Sequence, residues 1–325
     1  MKNLMLLCGA GVVLLMAGCK TTEQTPVKPV SWKKQSAYLA TVTDPPRYGY
    51  SIYQTPNGIR FRDGYRFHPN QGKSFSMIVE NPVRPAIRMV GMFGLQPPVL
   101  LDFSMSSSWM EFDTAKSLGA IPVSEGEAQL IKRPDDEIPA CLSLIPTQRL
   151  GTIMVENPLV YVRMANGSLG SIDRGIWEPE LKAVVGWELL RNFENIELNY
   201  VKKTVTLTTV KMAYRPDPAQ VVAQLPLVKS AGVCAVRGTV DGKSEMILID
   251  PAGDFEVATD EAKLVTTVQL SEGLVISNPG IAKSPGGTRI GARILQNYRI
   301  TICPKDGMIY FEKPLEKEDE KESDK

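Results

Sequence analysis

The chain has 325 residues, a formal net charge of +1 and 43% hydrophobic residues, enough for a sizeable core and no charge excess for a polyanionic partner. No basic run interleaved with aromatics points to nucleic acid. The single histidine, His68, excludes a multi-histidine metal centre, and the five cysteines match no zinc spacing, so neither metal nor cofactor is expected. No G-x-S-x-G nucleophile elbow occurs, which argues against serine-hydrolase chemistry.

Taken in order, Lys2 supplies a positive start, Leu4 to Met16 an apolar run too short to cross a bilayer, and Met16-Ala17-Gly18 small residues before Cys19. This end resembles a bacterial lipoprotein signal. The resemblance implies cleavage after residue 18 and a lipid on Cys19. Lys20 departs from the acidic inner-membrane retention rule, which implies an outer-membrane anchor in the cell envelope, on either face. Residues 19–36 are polar, with Pro26, Pro29 and several lysines, and read as a flexible tether.

Beyond the tether the pattern is strand-dominated. Asn57-Gly58 and Asp63-Gly64 mark hairpin turns within SIYQTPNGIRFRDGYRFH, and FSMIVEN, AIRMVGMFG, TIMVEN, LVYVRM and NIELNYV continue the theme. Helical signals are short. Trp109, Phe112 and Ala115 space one face of a helix over 109–118 with Gly119 to end it, and GWELLRNF and GARILQNY read as a turn or two each. AYRPDPAQVVAQ, with Pro216 and Pro218, reads as a connection between halves, and the last residues are a charged, solvated tail. Cys234 and Cys303 lie in strand-like runs of one repeat and either pair as a disulfide or stay, with Cys141, as buried thiols.

Internal repetition decides the architecture. Val184-Val185-Gly186 followed by WELLRNF matches Arg289-Ile290-Gly291 followed by ARILQNY, and each precedes a hairpin. Upstream, RMVGMFGLQPPVLLD matches AVRGTVDGKSEMILID. In both copies an apolar strand runs into one acid: VLLDFSMSSSW reaches Asp102 and EMILIDPAGDFEV reaches Asp250. Asp102 lies 84 residues before Gly186, and Asp250 lies 41 before Gly291, so the second copy is the shorter.

This order resembles the aspartic peptidases of the pepsin and retropepsin type, in which each half carries an Asp-Thr/Ser-Gly loop braced by an apolar-apolar-Gly segment. The resemblance implies a mainly β fold of two tandem retropepsin-like β-barrel lobes with a few short helices. It divides the chain into a signal (1–18), tether (19–36), first lobe with an N-terminal β extension (37–212), linker (213–224), shorter second lobe (225–313) and tail (314–325). Asp102 and Asp250 fall on the catalytic acids, Trp109 on the aromatic position, and Gly186 and Gly291 on the braces. In such a dyad two close carboxylates share one proton; the ionised one activates water and the protonated one polarises the scissile carbonyl.

The supporting residues depart from the family pattern. Phe103 and Pro251 replace the hydroxyls that cross-link the two loops, and Pro251 lacks an amide as well. Ser104 and Ala252 replace the glycines, with Gly253 one position late. Ser124 to Glu137 occupies the place of the family's flap but has no tyrosine; its Asp135-Asp136-Glu137 lacks a calcium-loop pattern. Gly167 to Gly175 opens no helix after a strand and is not read as a phosphate loop. The expectation is an envelope lipoprotein of this fold with catalysis lost or weak, binding an extended peptide or protein partner in the interlobe cleft. An active aspartic endopeptidase using Asp102 and Asp250, and a structural envelope scaffold, are the alternatives.

Overall fold

A computed structural model describes residues 27–55, 58–78, 84–89, 97–124, 130–133, 136–169, 181–261 and 264–314. The signal, Cys19, residues 170–175 and the tail beyond 314 lie outside them, as do 125–129 and 134–135 of the expected flap. Strand exceeds helix by 46% to 12%, so the molecule is mainly β with few short helices and curled sheets.

Two sheets repeat one wiring. In the first, Ala86–Arg88 pairs antiparallel with Pro98–Leu101, which pairs parallel with Ala183–Val185. Ala183–Val185 pairs antiparallel with Trp109–Glu111, and that strand pairs parallel with Leu159–Arg163. In the second, Ala235–Val240, Lys243–Asp250, Arg289–Gly291, Val257–Thr259 and Ile281–Lys283 follow in the same order with the same alternation of direction. The register repeats too: Leu101 sits opposite Val185, and Ile249 opposite Ile290. The first copy's extra length goes into the segment between its acid and its glycine. That segment holds the strands Leu130–Arg133 and Asp136–Leu144, which form a hairpin where the flap was expected.

A third, six-stranded sheet takes three strands from each half. Its middle is an antiparallel pair, Asn195–Asn199 against Arg299–Cys303, with Ile196 opposite Ile302 and Asn199 opposite Arg299. Thr204–Thr208 and Gly72–Ser76 extend it on one side, Met308–Glu312 and Val221–Pro226 on the other. Ile196, Leu198, Val205, Ile300, Ile302, Ile309 and Phe311 belong to one core that runs into both halves. Alternating apolar residues on these strands face that core, as a half-buried sheet requires.

Two expectations need correction, and one open choice is decided. The tether is not flexible from Lys28 onward. Lys28 and Pro29 pair with Asn166 and Ala165, Val30 is buried, and Trp32–Leu39 forms helix α1. Only Tyr38 of this helix is buried, so the helix is held by tertiary contacts at Val30 and Tyr38 rather than by an apolar face of its own. The helix expected over 109–118 begins later: Trp109–Glu111 is a strand, and only Phe112–Ser117 is helical (α2), followed by Leu118 and by Gly119 at φ +72°. Trp109 is claimed by the sheet, where it stands opposite Val184 and Tyr161. Finally, Cys234 and Cys303 form no disulfide; with Cys141 they are buried free thiols. Cys234 enters the second half's sheet while Cys303 ends a strand of the six-stranded sheet, so sharing a repeat does not make them neighbours. Burial pushes the Cys141 thiol up to about 11 and the Cys303 thiol up to about 12.

The expected linker is short. It is tied down where the Tyr214 hydroxyl donates to Glu312 Oε2 at 2.7 Å, and the strand Val221–Pro226 already begins within its expected bounds of 213–224. Glu312 is buried, and the Arg299 guanidinium 2.8 Å from its Oε1 compensates its charge.

Candidate acid-pair site

Asp102 follows directly on the strand Pro98–Leu101, and its amide donates to the Val185 carbonyl at 2.9 Å. Three donors converge on Asp102 Oδ1: the Ser104 amide at 2.9 Å, the Ser104 hydroxyl at 2.8 Å and the Met105 amide at 3.0 Å. Ser104 therefore supplies the backbone donor expected of a glycine and adds a hydroxyl. The loop beyond it rests on the start of helix α3 (Trp187–Leu190), with the Trp187 amide donating to the Met105 carbonyl at 2.7 Å. Gly186 is forced by this contact. A Cβ there would lie 2.5 Å from the Ser107 carbonyl carbon and oxygen. Trp109 stacks on Tyr161 with ring centroids 4.9 Å apart.

The second loop copies the frame and changes the contents. Asp250 ends its strand opposite Gly291, and the Ala292 amide, at the start of helix α4 (Ala292–Leu295), donates to the Gly253 carbonyl at 2.8 Å. Counted from the acid, Gly253 stands where Met105 stands in the first loop. Its amide bonds the main-chain oxygen of Asp250, at 3.0 Å, rather than the carboxylate. Gly291 is again imposed by crowding, since a Cβ would meet the Phe255 carbonyl oxygen at 2.3 Å. The Asp250 carboxylate instead faces a guanidinium: Arg289 Nη1 lies 3.5 Å from its Oδ2. Arg289 also donates to the Pro285 carbonyl through Nη2, in space that a side chain on Gly286 would fill.

The two loops meet, but not through hydroxyls. The Cys234 amide, from the second half, donates to the Phe103 carbonyl at 2.8 Å. The Phe103 ring is fully buried in the main core, 6.1 Å from Trp187. Ala252, also fully buried, packs in one cluster with Leu100, Trp109 and Val184 of the first half, and Pro251 is buried beside it. An apolar seam thus stands where the resemblance predicts paired hydrogen bonds. Both acids are 0% exposed. A water attacking a peptide must reach both carboxylates together with the peptide, and here one carboxylate caps its own loop while the other holds a buried ion pair.

Arg289 is the site residue that the repeat pattern left unassigned. The visible signal was a cation in the first position of an apolar-apolar-Gly segment whose other copy carries Val184. Among the described residues, no group of three or more His, Cys, Asp or Glu side chains is arranged to hold a metal. An open cavity of about 460 Å³ in the second half, lined by Asp241, Glu245, Asp260, Glu261 and Leu264 among others, lies apart from the acid pair. Three of its four acids are used internally: Asp241 Oδ1 accepts from the Thr266 amide and hydroxyl, Asp260 Oδ1 from the Gly286 and Gly287 amides, and Glu245 Oε2 from the Thr288 hydroxyl. His68 is half-exposed, 3.2 Å from Glu156 Oε1, and far in sequence from either loop.

No family model matches the sequence, and no curated protein matches it. Among solved structures the chain is similar to basic 7S globulin from soybean, at 11% identity over 75% of this chain and 95% of that one, with a TM-score of 0.46.

Proposed function

We propose that this chain is a bacterial envelope lipoprotein built as two tandem pepsin- and retropepsin-like lobes, without aspartic catalysis, that binds an extended peptide or protein segment between the lobes. The observation that carries the loss of catalysis is the burial of Asp102 and Asp250 at 0% exposure, with Asp250 held against Arg289. A working dyad shares one proton between two reachable carboxylates, and a fixed guanidinium beside one of them opposes that sharing. The repeated wiring of the two sheets, the matching registers of the acid strands and the sheet built equally from both halves support the two-lobe reading. In that architecture an extended segment would be held by sheet-edge hydrogen bonds and side-chain pockets.

The test is incubation of the processed protein with a diverse peptide library from about pH 3 to about pH 8, reading both cleavage and retention of peptides. Retention without cleavage is expected. Cleavage that disappears in Asp102→Asn and in Asp250→Asn would overturn the non-catalytic reading. A well-folded protein that retains no peptide would overturn the binding reading.

A further inference from the structure

We propose that the segment Lys28–Lys34 is a membrane-docking face, in which Trp32 inserts at headgroup depth while Lys28, Lys33 and Lys34 seat on anionic phospholipid. The proposal rests on the reading of Cys19 as the lipid-anchored residue, and it adds a defined orientation of the body on the bilayer.

The segment is rigidly attached to the body. The Tyr38 hydroxyl donates to Ser143 Oγ at 2.8 Å, and its ring meets Phe112 edge-on at 5.3 Å. The Val30 amide donates to the Met164 carbonyl at 3.0 Å, and Lys28 and Pro29 pair with Asn166 and Ala165. With that side fixed inward, the other side carries a large aromatic in water. Trp32 is 72% exposed, and Lys28, Ser31, Lys33 and Lys34 are exposed with it. An indole with lysines beside it suits the boundary where an apolar ring and its N–H find hydrocarbon and headgroups at once. Lysine stems extend along such a surface while their ammonium groups stay in the polar layer.

Charge and reach name the occupant. Residues 27–43 contain three lysines and no acid. On the neighbouring helix α2, Asp113 accepts from the Asn166 side chain at 2.7 Å. From Cys19 to Val27 the chain can span at most about 28 Å, roughly half the diameter expected for a body of this size. A lipid on Cys19 therefore keeps this end of the molecule beside the bilayer, where each lysine near an anionic leaflet adds about a fivefold gain in affinity.

The experiment uses the processed chain with Cys19→Ser, which carries no acyl group. It is mixed with vesicles of phosphatidylcholine alone or with phosphatidylglycerol and floated on a density gradient. Flotation with the anionic vesicles only is expected, weakened about twenty-fivefold in Lys33→Ala/Lys34→Ala. Quenching of indole fluorescence by brominated lipid should be lost in Trp32→Ala. Equal flotation of these variants and the parent, or no flotation with anionic vesicles, would overturn the docking face. Lys243→Glu, at the exposed start of the strand Lys243–Asp250, serves as the control for general charge loss. The anchor is read separately, by incorporation of a fatty-acid analogue that depends on Cys19. Label without flotation defeats the face alone, and flotation without label defeats the anchor alone.

Discussion

At the scale of single residues, the pairing of Asp250 with Arg289 is the departure with the largest energetic consequence. Both side chains are buried, so removing one partner strands a charge in a low-dielectric interior, whereas removing both can be close to neutral. Arg289→Leu is expected to lower unfolding stability by about 3–5 kcal/mol. The double change Asp250→Asn/Arg289→Leu, which removes both charges, should recover most of that loss. Urea titrations of the two variants check this, and a single variant as stable as the parent would show that the pair is not what neutralises Asp250. The acids themselves were legible in the sequence, because an apolar strand ending on one carboxylate occurs twice. The ion pair was not, because which way residue 289 points depends on the register against Lys243–Asp250. Ser104 shows the opposite error of inference. It reads as a lost glycine, yet its amide still reaches Asp102 Oδ1 and its hydroxyl reinforces the contact.

At the scale of elements, the braces explain why the repeat could be recognised at such low identity. Gly186 and Gly291 each lie where another backbone passes too close for a Cβ, the Ser107 carbonyl in one half and Phe255 in the other. Neither has a φ in the left-handed region, so the requirement is space rather than conformation. Gly186→Ala and Gly291→Ala should each cost about 1–3 kcal/mol through overpacking. Gly119→Ala is the informative comparison. Gly119 has φ +72° and open space around a Cβ, so its cost comes from backbone strain of about 1 kcal/mol alone. Thermal melts of the three variants would test the ordering, and a brace variant no worse than Gly119→Ala would remove crowding as the reason for the glycines. Helix α1 was missed for the converse reason. WKKQSAYL has a weak apolar face, and it is stabilised by a few long-range contacts that no local pattern encodes.

At the scale of the whole molecule, the strand-dominated class and the two copies were visible from periodicity and order, since half-buried strands alternate and duplicated elements keep their sequence of turns. The six-stranded sheet was not visible. Its central pair joins residues about a hundred positions apart, and nothing local in NIELN or RITIC selects the partner. The choice between a disulfide and buried thiols for Cys234 and Cys303 was open at the same scale, because membership of one repeat says nothing about which sheet a residue enters.

That central pair has a consequence for how the chain can be divided. Asn195–Asn199 and Arg299–Cys303 are joined by hydrogen bonds and a shared core, while the covalent path between the halves runs only through the short segment around Pro216 and Pro218. The peptide link then serves mainly to hold two complementary pieces at high effective concentration. Cutting between Pro216 and Asp217 leaves Tyr214 on the first piece and its acceptor Glu312 on the second. The two pieces, produced together as separate chains, should assemble and elute as one species of the parent's size. Pieces that elute apart would mean that the halves depend on their tether more than on each other.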